Sequence, residues 1–172
     1  YLSMVDVSGP SFDLSYDKTK AFYQYEKTDK DLIENHINDG DVFLDVGANI
    51  GLFSVAARIC FPQACIHAYE PNHDVRKHLD HQSSTFGFSA IYEAIGKSSG
   101  SGTLIKNQEF DTAARVNHDE AGKIKITSLS QAINRFEDRF VDLLKLDCEG
   151  YEHQLMEEKG PWNNCKYLAM EY

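Results

Sequence analysis

The chain has 172 residues, of which 42% are hydrophobic, and a formal net charge of -10. This length allows one buried core and excludes two ordinary domains. No run of about 18 apolar residues is present and the N-terminus lacks the pattern of a signal peptide, so we expect a cytoplasmic protein without a membrane span.

The acidic charge and the spacing of the four cysteines exclude further classes of protein. No basic stripe is present, which argues against nucleic acid as a partner. Cys60, Cys65, Cys148 and Cys165 lack the paired spacing of a zinc site and the density of a disulfide scaffold, so we expect reduced thiols.

The first predicted element is a short helix over residues 28–37. Thr28 can cap its free amides, Leu32, Ile33 and Ile37 share one face, and the stretch 38–40 ends it. We expect residues 1–27 to form an N-terminal extension and residues 28–172 to form one α/β domain.

A strand, a turn and a helix then follow without a linker. Residues 42–46 are an apolar run typical of a buried strand, and a turn containing glycines comes next. Leu52, Val55, Ala56 and Ile59 then occupy positions i, i+3, i+4 and i+7, which is the spacing of one helix face.

The alternation of strands and helices continues to the end of the chain. The patterns predict strands over 65–69, 88–95, 124–126, 141–146 and from 167, and helices over about 74–82, 129–136 and 152–158. A surface turn is expected at 97–102, within a polar segment that reaches about residue 117. This order predicts a mostly parallel sheet with helices on both faces.

The turn after the first of these strands carries the main functional signal, Asp45-x-Gly47-x-x-x-Gly51. The two glycines let the backbone approach a ligand, and Asn49 tolerates a positive φ between them. Ala48 lies in the same turn. The spacing differs from the G-x-G-x-x-G pattern of dinucleotide sites, and Asp45 suits the cationic groups of S-adenosylmethionine better than a pyrophosphate.

Two further segments place acidic residues after strands. Glu70 follows the second strand of the pattern, where its carboxylate can accept the ribose hydroxyls, and Pro71-Asn72 turns the chain away. Asp147, Glu149 and Glu152 surround Gly150 after the strand 141–146. Like charges and desolvation in such a cluster shift proton affinities.

We expect Asp147 or Glu149 to accept a proton from an acceptor hydroxyl, or to coordinate a metal that acidifies it, with Lys145 tuning the cluster. The alternative is that Glu149 and Glu152 cap the following helix.

Histidines and tyrosines offer weaker signals. His73, His78 and His81 lie near Asp74 and Asp80, but a solvated helix surface explains them better than a metal site, so no metal ligands are predicted. His153 is expected to face solvent rather than to relay a proton. Tyr23, Tyr25 and Tyr151 can line an acceptor pocket, although core packing is the commoner use of such rings.

The three segments 43–54, 69–72 and 142–152 together resemble the FkbM-type methyltransferases, and the resemblance runs from about Tyr23, with a Tyr-x-Tyr-Glu stretch, to the end of the chain. It implies a class I fold of the Rossmann type that uses S-adenosylmethionine for O-methylation of a small molecule or sugar. By similarity, the turn from Asp45 to Gly51 holds the methionine portion, Glu70 the ribose, and Glu93-Ala94 flanks the adenine.

In that family the sheet ordinarily closes with an antiparallel hairpin after the fifth strand. This sequence ends at the fifth strand, so we expect either a longer protein or an abbreviated fold.

Three alternative functions remain at this level. One is a non-catalytic module that binds S-adenosylmethionine, and another is an NAD(P)-dependent oxidoreductase, which the missing G-x-G-x-x-G pattern disfavours. The third is RNA methylation, which the acidic balance disfavours.

Overall fold

A computed structural model describes residues 2–6, 38–106, 114–136, 140–148, 151–157 and 161–171. The helix predicted over residues 28–37 and the Tyr-x-Tyr-Glu stretch lie outside these residues.

The described residues form ten strands, four α-helices and one 3-10 turn. The strands are β1 (Leu2–Asp6), β2 (Val42–Val46), β3 (Cys65–Tyr69), β4 (Ser89–Ile91), β5 (Ala94–Gly96), β6 (Gly100–Lys106), β7 (Ala114–His118), β8 (Ile124–Ser128), β9 (Val141–Leu146) and β10 (Cys165–Glu171). The helices are α1 (Leu52–Cys60), α2 (Arg76–Phe86), α3 (Leu129–Asn134) and α4 (Glu152–Met156), and the 3-10 turn is Pro161–Asn164.

The main sheet has six strands in the order β1-β10-β9-β2-β3-β4. All neighbours pair in parallel except β1, which runs antiparallel to β10. Part of the predicted N-terminal extension therefore adds a strand to this sheet. The chain moves outward from β2 through β3 to β4 and later returns to β9 on the other side of β2. The carboxyl ends of β2 and β9 thus lie at a topological switch point, where open α/β sheets bind ligands.

Alternation along β2 divides the core into two layers. Val42, Leu44 and Val46 pack on one face with residues of α3, α4 and the 3-10 turn. Phe43 packs on the other face with residues of α1 and α2. Because successive side chains of a strand point to opposite faces, helices cover both sides of the sheet. The predicted Rossmann-like α/β class, with a mostly parallel sheet, is confirmed.

Helix α1 follows its prediction in position but not in the face that it buries. Ser54 and Ala57 are its buried residues, whereas Leu52 and Ile59 are 62% and 64% exposed. The apolar stripe that indicated the helix is therefore not the face that packs on the sheet. The reason is that Ser54 is needed beneath the preceding turn, where its hydroxyl donates a 2.7 Å hydrogen bond to the Asp45 carboxylate.

The prediction of one strand over residues 88–95 was wrong. Two short strands replace it, because β4 pairs with β3 in the main sheet while β5 pairs with β8 in a second sheet. The second sheet has the order β5-β8-β6-β7. It includes an antiparallel β6–β7 pair inside the segment that was expected to be irregular.

The remaining elements agree with the sequence patterns to within a few residues. Leu129, Ala132, Ile133 and Phe136 are all buried, as the helical spacing requires. Helix α2 starts and ends later than expected, and α4 is shorter than expected. Within the described residues, no helix is long and apolar enough to cross a membrane.

His67 on β3 makes the stability of this fold depend on pH. Its ring stacks on Phe136 with centroids 4.1 Å apart, and its buried Nδ1 has no hydrogen-bond partner among the described residues. Burial, and then the nearby Arg135 charge, lower the pKa of His67 from 6.5.

We expect the free energy of unfolding to fall as the pH drops through 6.5 toward the lower folded-state pKa, because only the unfolded chain takes up the proton in that window. Above 6.5 the contribution is complete. Urea titrations across this range should show a weaker pH dependence in His67→Phe, which keeps the ring stack. An unchanged slope in that variant, as expected for the exposed His81→Ala control, would contradict the assignment.

Candidate active site

A cavity of about 620 Å³ lies at the carboxyl edge of the main sheet and extends to the second sheet. Its wall combines residues from the ends of β2, β3 and β9 with residues of α2, α4, β5, β7 and β8. The lining includes Gly47, Asn49, Glu70, Pro71, Asn72, Asp74, His78, Glu93, Ala94, Gly96, Val116, Asn117, His118, Ile126, Asp147, Cys148, Tyr151 and Gln154.

The turn after β2 adopts the strained backbone that its sequence predicts. Gly47, Asn49 and Gly51 all have positive φ, at 78°, 50° and 86°. The backbone amides of Gly47 and Ala48 both donate to the Tyr69 carbonyl at 3.0 Å, which ties the turn to the end of β3.

The position of Gly47 admits no side chain. A Cβ placed there would lie 1.7 Å from the carbonyl oxygen of Asp147. The Asp147 amide donates to the Val46 carbonyl at 3.0 Å, so the two strand ends are held at this separation. Gly51 is also crowded, because a Cβ there would lie 2.8 Å from Leu79 of α2. The two glycines therefore serve close packing as well as positive φ.

Lys145 joins the turn to the end of β9 through one buried ammonium group. Its Nζ lies 3.2 Å from Asp45 Oδ1 and 3.2 Å from Asp147 Oδ2, and it donates to the Gly47 carbonyl at 3.1 Å. Burial alone would lower the pKa of Lys145, but the carboxylates of Asp45 and Asp147 outweigh it and raise the pKa. The ammonium thus stays charged and supports both strand ends.

Asp45 itself lies beneath the turn. It is fully buried and its carboxylate contacts Lys145 and Ser54. Asp45, Ala48 and Gly51 were predicted to bind the cofactor, yet the described residues that form the cavity wall do not include them. These three residues shape the wall, and direct contact between Asp45 and a ligand stays a prediction.

Glu70 presents a carboxylate that the backbone holds in place. Oε2 accepts from the Asn49 amide at 2.8 Å and Oε1 accepts from the Asn72 amide at 2.7 Å. Burial raises the pKa of Glu70, while these two amides act in the opposite direction. Each oxygen keeps a further lone pair for a ligand hydroxyl, since a carboxylate oxygen accepts more than one hydrogen bond.

Glu93 and Ala94 also line the cavity, but the Glu93 carboxylate is engaged elsewhere. It accepts hydrogen bonds from Lys125 at 2.8 Å, Thr127 at 2.5 Å and Arg135 at 2.8 Å. Burial would raise the pKa of Glu93, but these three donors lower it below the ordinary value. Glu93 therefore ties the cavity wall to β8, and the adenine contact proposed for this pair of residues stays a prediction.

The carboxylate cluster after β9 is only partly described. Asp147 lies on the cavity wall, whereas Glu149 and Gly150 lie outside the described residues. Glu152 is buried and accepts from the Cys148 amide at 2.6 Å, a donor that precedes α4, so the capping interpretation stays a prediction. Burial, followed by the Glu152 charge, raises the pKa of the Cys148 thiol.

Several residues of the cavity wall are not predicted by the sequence patterns. Val116, Asn117 and His118 of β7 line the cavity, although they belong to a segment with no hydrophobic period. His78 in the first turn of α2 and Asp74, two residues before that helix, also line the cavity. In the part of the chain that the structure describes, no group of three or more His, Cys, Asp or Glu side chains is arranged to hold a metal ion.

The fold and the cavity define an α/β domain of Rossmann-like architecture with a site at the carboxyl edge of its main sheet. The chain belongs to the FkbM methyltransferase family, because the profile of the methyltransferase FkbM domain matches residues 45–171. It is also similar to the hexuronic acid methyltransferase AglP of Haloferax volcanii, with 31% identity over 136 residues. The match covers 77% of this chain and 54% of AglP, so the chain spans about half the length of that relative.

We expect Gly47→Ala to lower the free energy of unfolding by about 3 kcal/mol or more, because overpacking adds to the positive-φ penalty. Gly87→Ala is the matched control, since Gly87 has a φ of 75° with nothing within 4 Å of the added Cβ. Its expected cost is about 1–2 kcal/mol. Chemical denaturation measures both, and equal losses would show that the Asp147 carbonyl does not restrict position 47.

Proposed function

We propose that this chain transfers a methyl group from S-adenosylmethionine to a hydroxyl oxygen of a sugar or another small molecule. The observation that carries the proposal is the Glu70 carboxylate, which two backbone amides hold on the cavity wall beside the turn Gly47–Gly51. A carboxylate fixed in this way accepts the two neighbouring hydroxyls of a ribose without first having to become ordered.

The residues present fit this cofactor at three points. Glu70 would hold the ribose, the backbone from Gly47 to Asn49 would lie against the methionine portion, and Asp147 lies on the wall near that turn. When bound, the cofactor supplies an electrophilic methyl group on a sulfonium. The protein contributes position: Lys145 and the Gly47 contact fix both strand ends, so the acceptor oxygen can be held close to the methyl group and in line with the departing sulfur.

Removal of the acceptor proton requires a base at the same edge of the sheet. Asp147 is our candidate because this residue lines the cavity and Lys145 Nζ lies 3.2 Å from its Oδ2. Lys145 orients the carboxylate and balances its charge, so it acts as a positioning residue. Glu149 remains the second candidate from the sequence.

The acceptor side is best assigned to the N-terminal end of α4, which begins at Glu152, five residues after Asp147. Tyr151 and Gln154 line the cavity there. An aromatic ring beside a side-chain amide suits a sugar, whose C–H face packs on rings and whose hydroxyls need hydrogen-bond partners. The similarity to a hexuronic acid methyltransferase supports an acceptor of the sugar class.

Calorimetry with S-adenosylhomocysteine tests the cofactor. We expect wild-type protein to bind it and Glu70→Gln to bind about 10- to 100-fold more weakly, because one charged hydrogen-bonding group is lost and the new amide faces a backbone donor. Glu120→Gln, at an exposed position outside the cavity, is the control. No binding by folded wild-type protein, or preferential binding of NAD, would refute the proposal and favour the oxidoreductase alternative.

Turnover against a panel of sugars and other hydroxyl compounds tests the base and the acceptor site. We expect Asp147→Asn to lower kcat by about 10²- to 10⁴-fold, the usual contribution of a general base. Tyr151→Ala should raise the acceptor KM and leave the affinity for S-adenosylhomocysteine unchanged.

Glu149→Gln is assayed in parallel. Full turnover in Asp147→Asn together with loss in Glu149→Gln would transfer the role to Glu149. Cofactor binding without turnover of any acceptor would favour the non-catalytic module.

A further inference from the structure

The cavity wall carries charge of mainly one sign. Its described residues contain no lysine or arginine but four carboxylates, which belong to Glu70, Asp74, Glu93 and Asp147. His78 and His118 are the basic side chains of the described wall, and an imidazole is ordinarily uncharged above about pH 7.5. A molecule that enters the cavity therefore meets a wall on which negative charge predominates.

The cation behind the wall, Lys145, is already fully used. Its Nζ lies 3.2 Å from Asp45 Oδ1 and 3.2 Å from Asp147 Oδ2, and it donates to the Gly47 carbonyl at 3.1 Å. An ammonium group has three protons, so these three contacts occupy all of its donors. The side chain is 7% exposed, and turning it toward a ligand would leave the buried Asp45 carboxylate without a counter-charge. Lys145 thus has no capacity to bind a further carboxylate.

The cations at the second sheet are committed to Glu93. Lys125 Nζ and Arg135 Nη2 each lie 2.8 Å from a carboxylate oxygen of Glu93, and Arg135 Nη1 donates to the Tyr69 hydroxyl at 2.8 Å. Neither Lys125 nor Arg135 belongs to the described cavity wall. Glu70 is held instead by two neutral backbone amides, which do not offset its charge. The negative charge of the wall therefore acts on whatever occupies the cavity.

This charge favours the proposed cofactor and disfavours an anionic acceptor. S-adenosylmethionine has a sulfonium, an ammonium and one carboxylate, so its net charge is positive and the wall attracts it. An acceptor whose hydroxyl reaches Asp147 brings any carboxylate on the same sugar ring close to that residue. Like charges repel, and bulk water screens them less well in a cavity than at an open surface.

Uncharged hydrogen-bonding groups are present for the acceptor. Gln154 of α4 and Asn117 of β7 line the cavity, and each amide both donates and accepts, as hydroxyl groups do. An ion pair of 3.1 Å between Lys97, just after β5, and Glu157, just after α4, ties these two parts of the wall together. Hydroxyl groups therefore find partners here, whereas a carboxylate finds no cation on the described wall.

We propose that the acceptor is an uncharged hydroxyl compound of the neutral-sugar class, and that the charge of the cavity disfavours sugars that carry a carboxylate. This inference rests on the proposed function and deepens it by naming the charge class of the substrate. It distinguishes this chain from AglP, a hexuronic acid methyltransferase, at the level of the acceptor.

Matched acceptors separate charge from shape. Each set contains a methyl glycoside, the corresponding uronate, and the uronamide, in which an amide of the same shape replaces the carboxylate. At about pH 8.5, where imidazoles are ordinarily uncharged, we expect kcat/KM for the glycoside and the uronamide to exceed that for the uronate by about 10- to 100-fold. The gap should narrow at about 0.5 M salt, because salt screens the repulsion.

The variant Asp74→Asn removes one negative charge from the wall. We expect the ratio of kcat/KM for the uronamide to that for the uronate to fall about 3- to 10-fold. Any effect on the cofactor cancels in this ratio, because both acceptors react with the same methyl donor. Asp39→Asn is the matched control: it makes the same change just before β2, at the opposite edge of the main sheet from the cavity, and should leave the ratio unchanged.

Equal kcat/KM for the uronate and the uronamide, or a preference for the uronate, would overturn the inference while the proposed function stands. A gap that neither high salt nor Asp74→Asn reduces would also overturn it, because the discrimination would then not depend on charge. Binding of S-adenosylhomocysteine by folded protein without turnover of any member of the sets would refute the proposed function and this inference with it.

Discussion

The site depends on one close contact between two parallel strands. The carbonyl of Asp147, at the end of β9, occupies the place where a side chain at position 47 would be. Only glycine allows this approach, and the positive φ of Gly47 turns the chain so that α1 can begin five residues later, at Leu52. The carboxyl ends of β2 and β9 therefore meet without a gap, and the cavity wall contains residues from both.

Charge supports the same geometry. Two carboxylates and a carbonyl surround the Lys145 ammonium, and Ser54 donates to the remaining oxygen of Asp45. A buried charge without partners would be strongly destabilising, so each member of this group needs the others. The four residues therefore have two different roles. Asp45 and Lys145 hold the wall from behind, while Glu70 and Asp147 face the cavity.

The second sheet extends the cavity beyond the edge of the main sheet. A Rossmann-like sheet alone would give a crevice at the ends of β2, β3 and β9. In this chain the segment between β4 and β9 adds β5 to β8, and Glu93 ties this addition back through Lys125, Thr127 and Arg135. Arg135 also donates to the Tyr69 hydroxyl at 2.8 Å, which joins the added sheet to β3. The methyltransferase fold thus gains a wall of its own at one end of the cavity.

The sequence by itself determined the local features: the strands 42–46, 65–69 and 141–146, the positive φ at Asn49, and the placement of Glu70 and Asp147 after strands. These features depend on hydrophobic period and on residues that restrict the backbone, which are visible within a few positions. The tertiary structure alone decided that α1 buries Ser54 rather than Leu52, because the Asp45 carboxylate beneath the turn requires that hydroxyl. It also decided that residues 88–95 divide between two sheets and that His118 reaches the cavity. The first result depends on pairing with β3 and β8, and the position of His118 depends on the pairing of β7 with β6. No local pattern records such pairing.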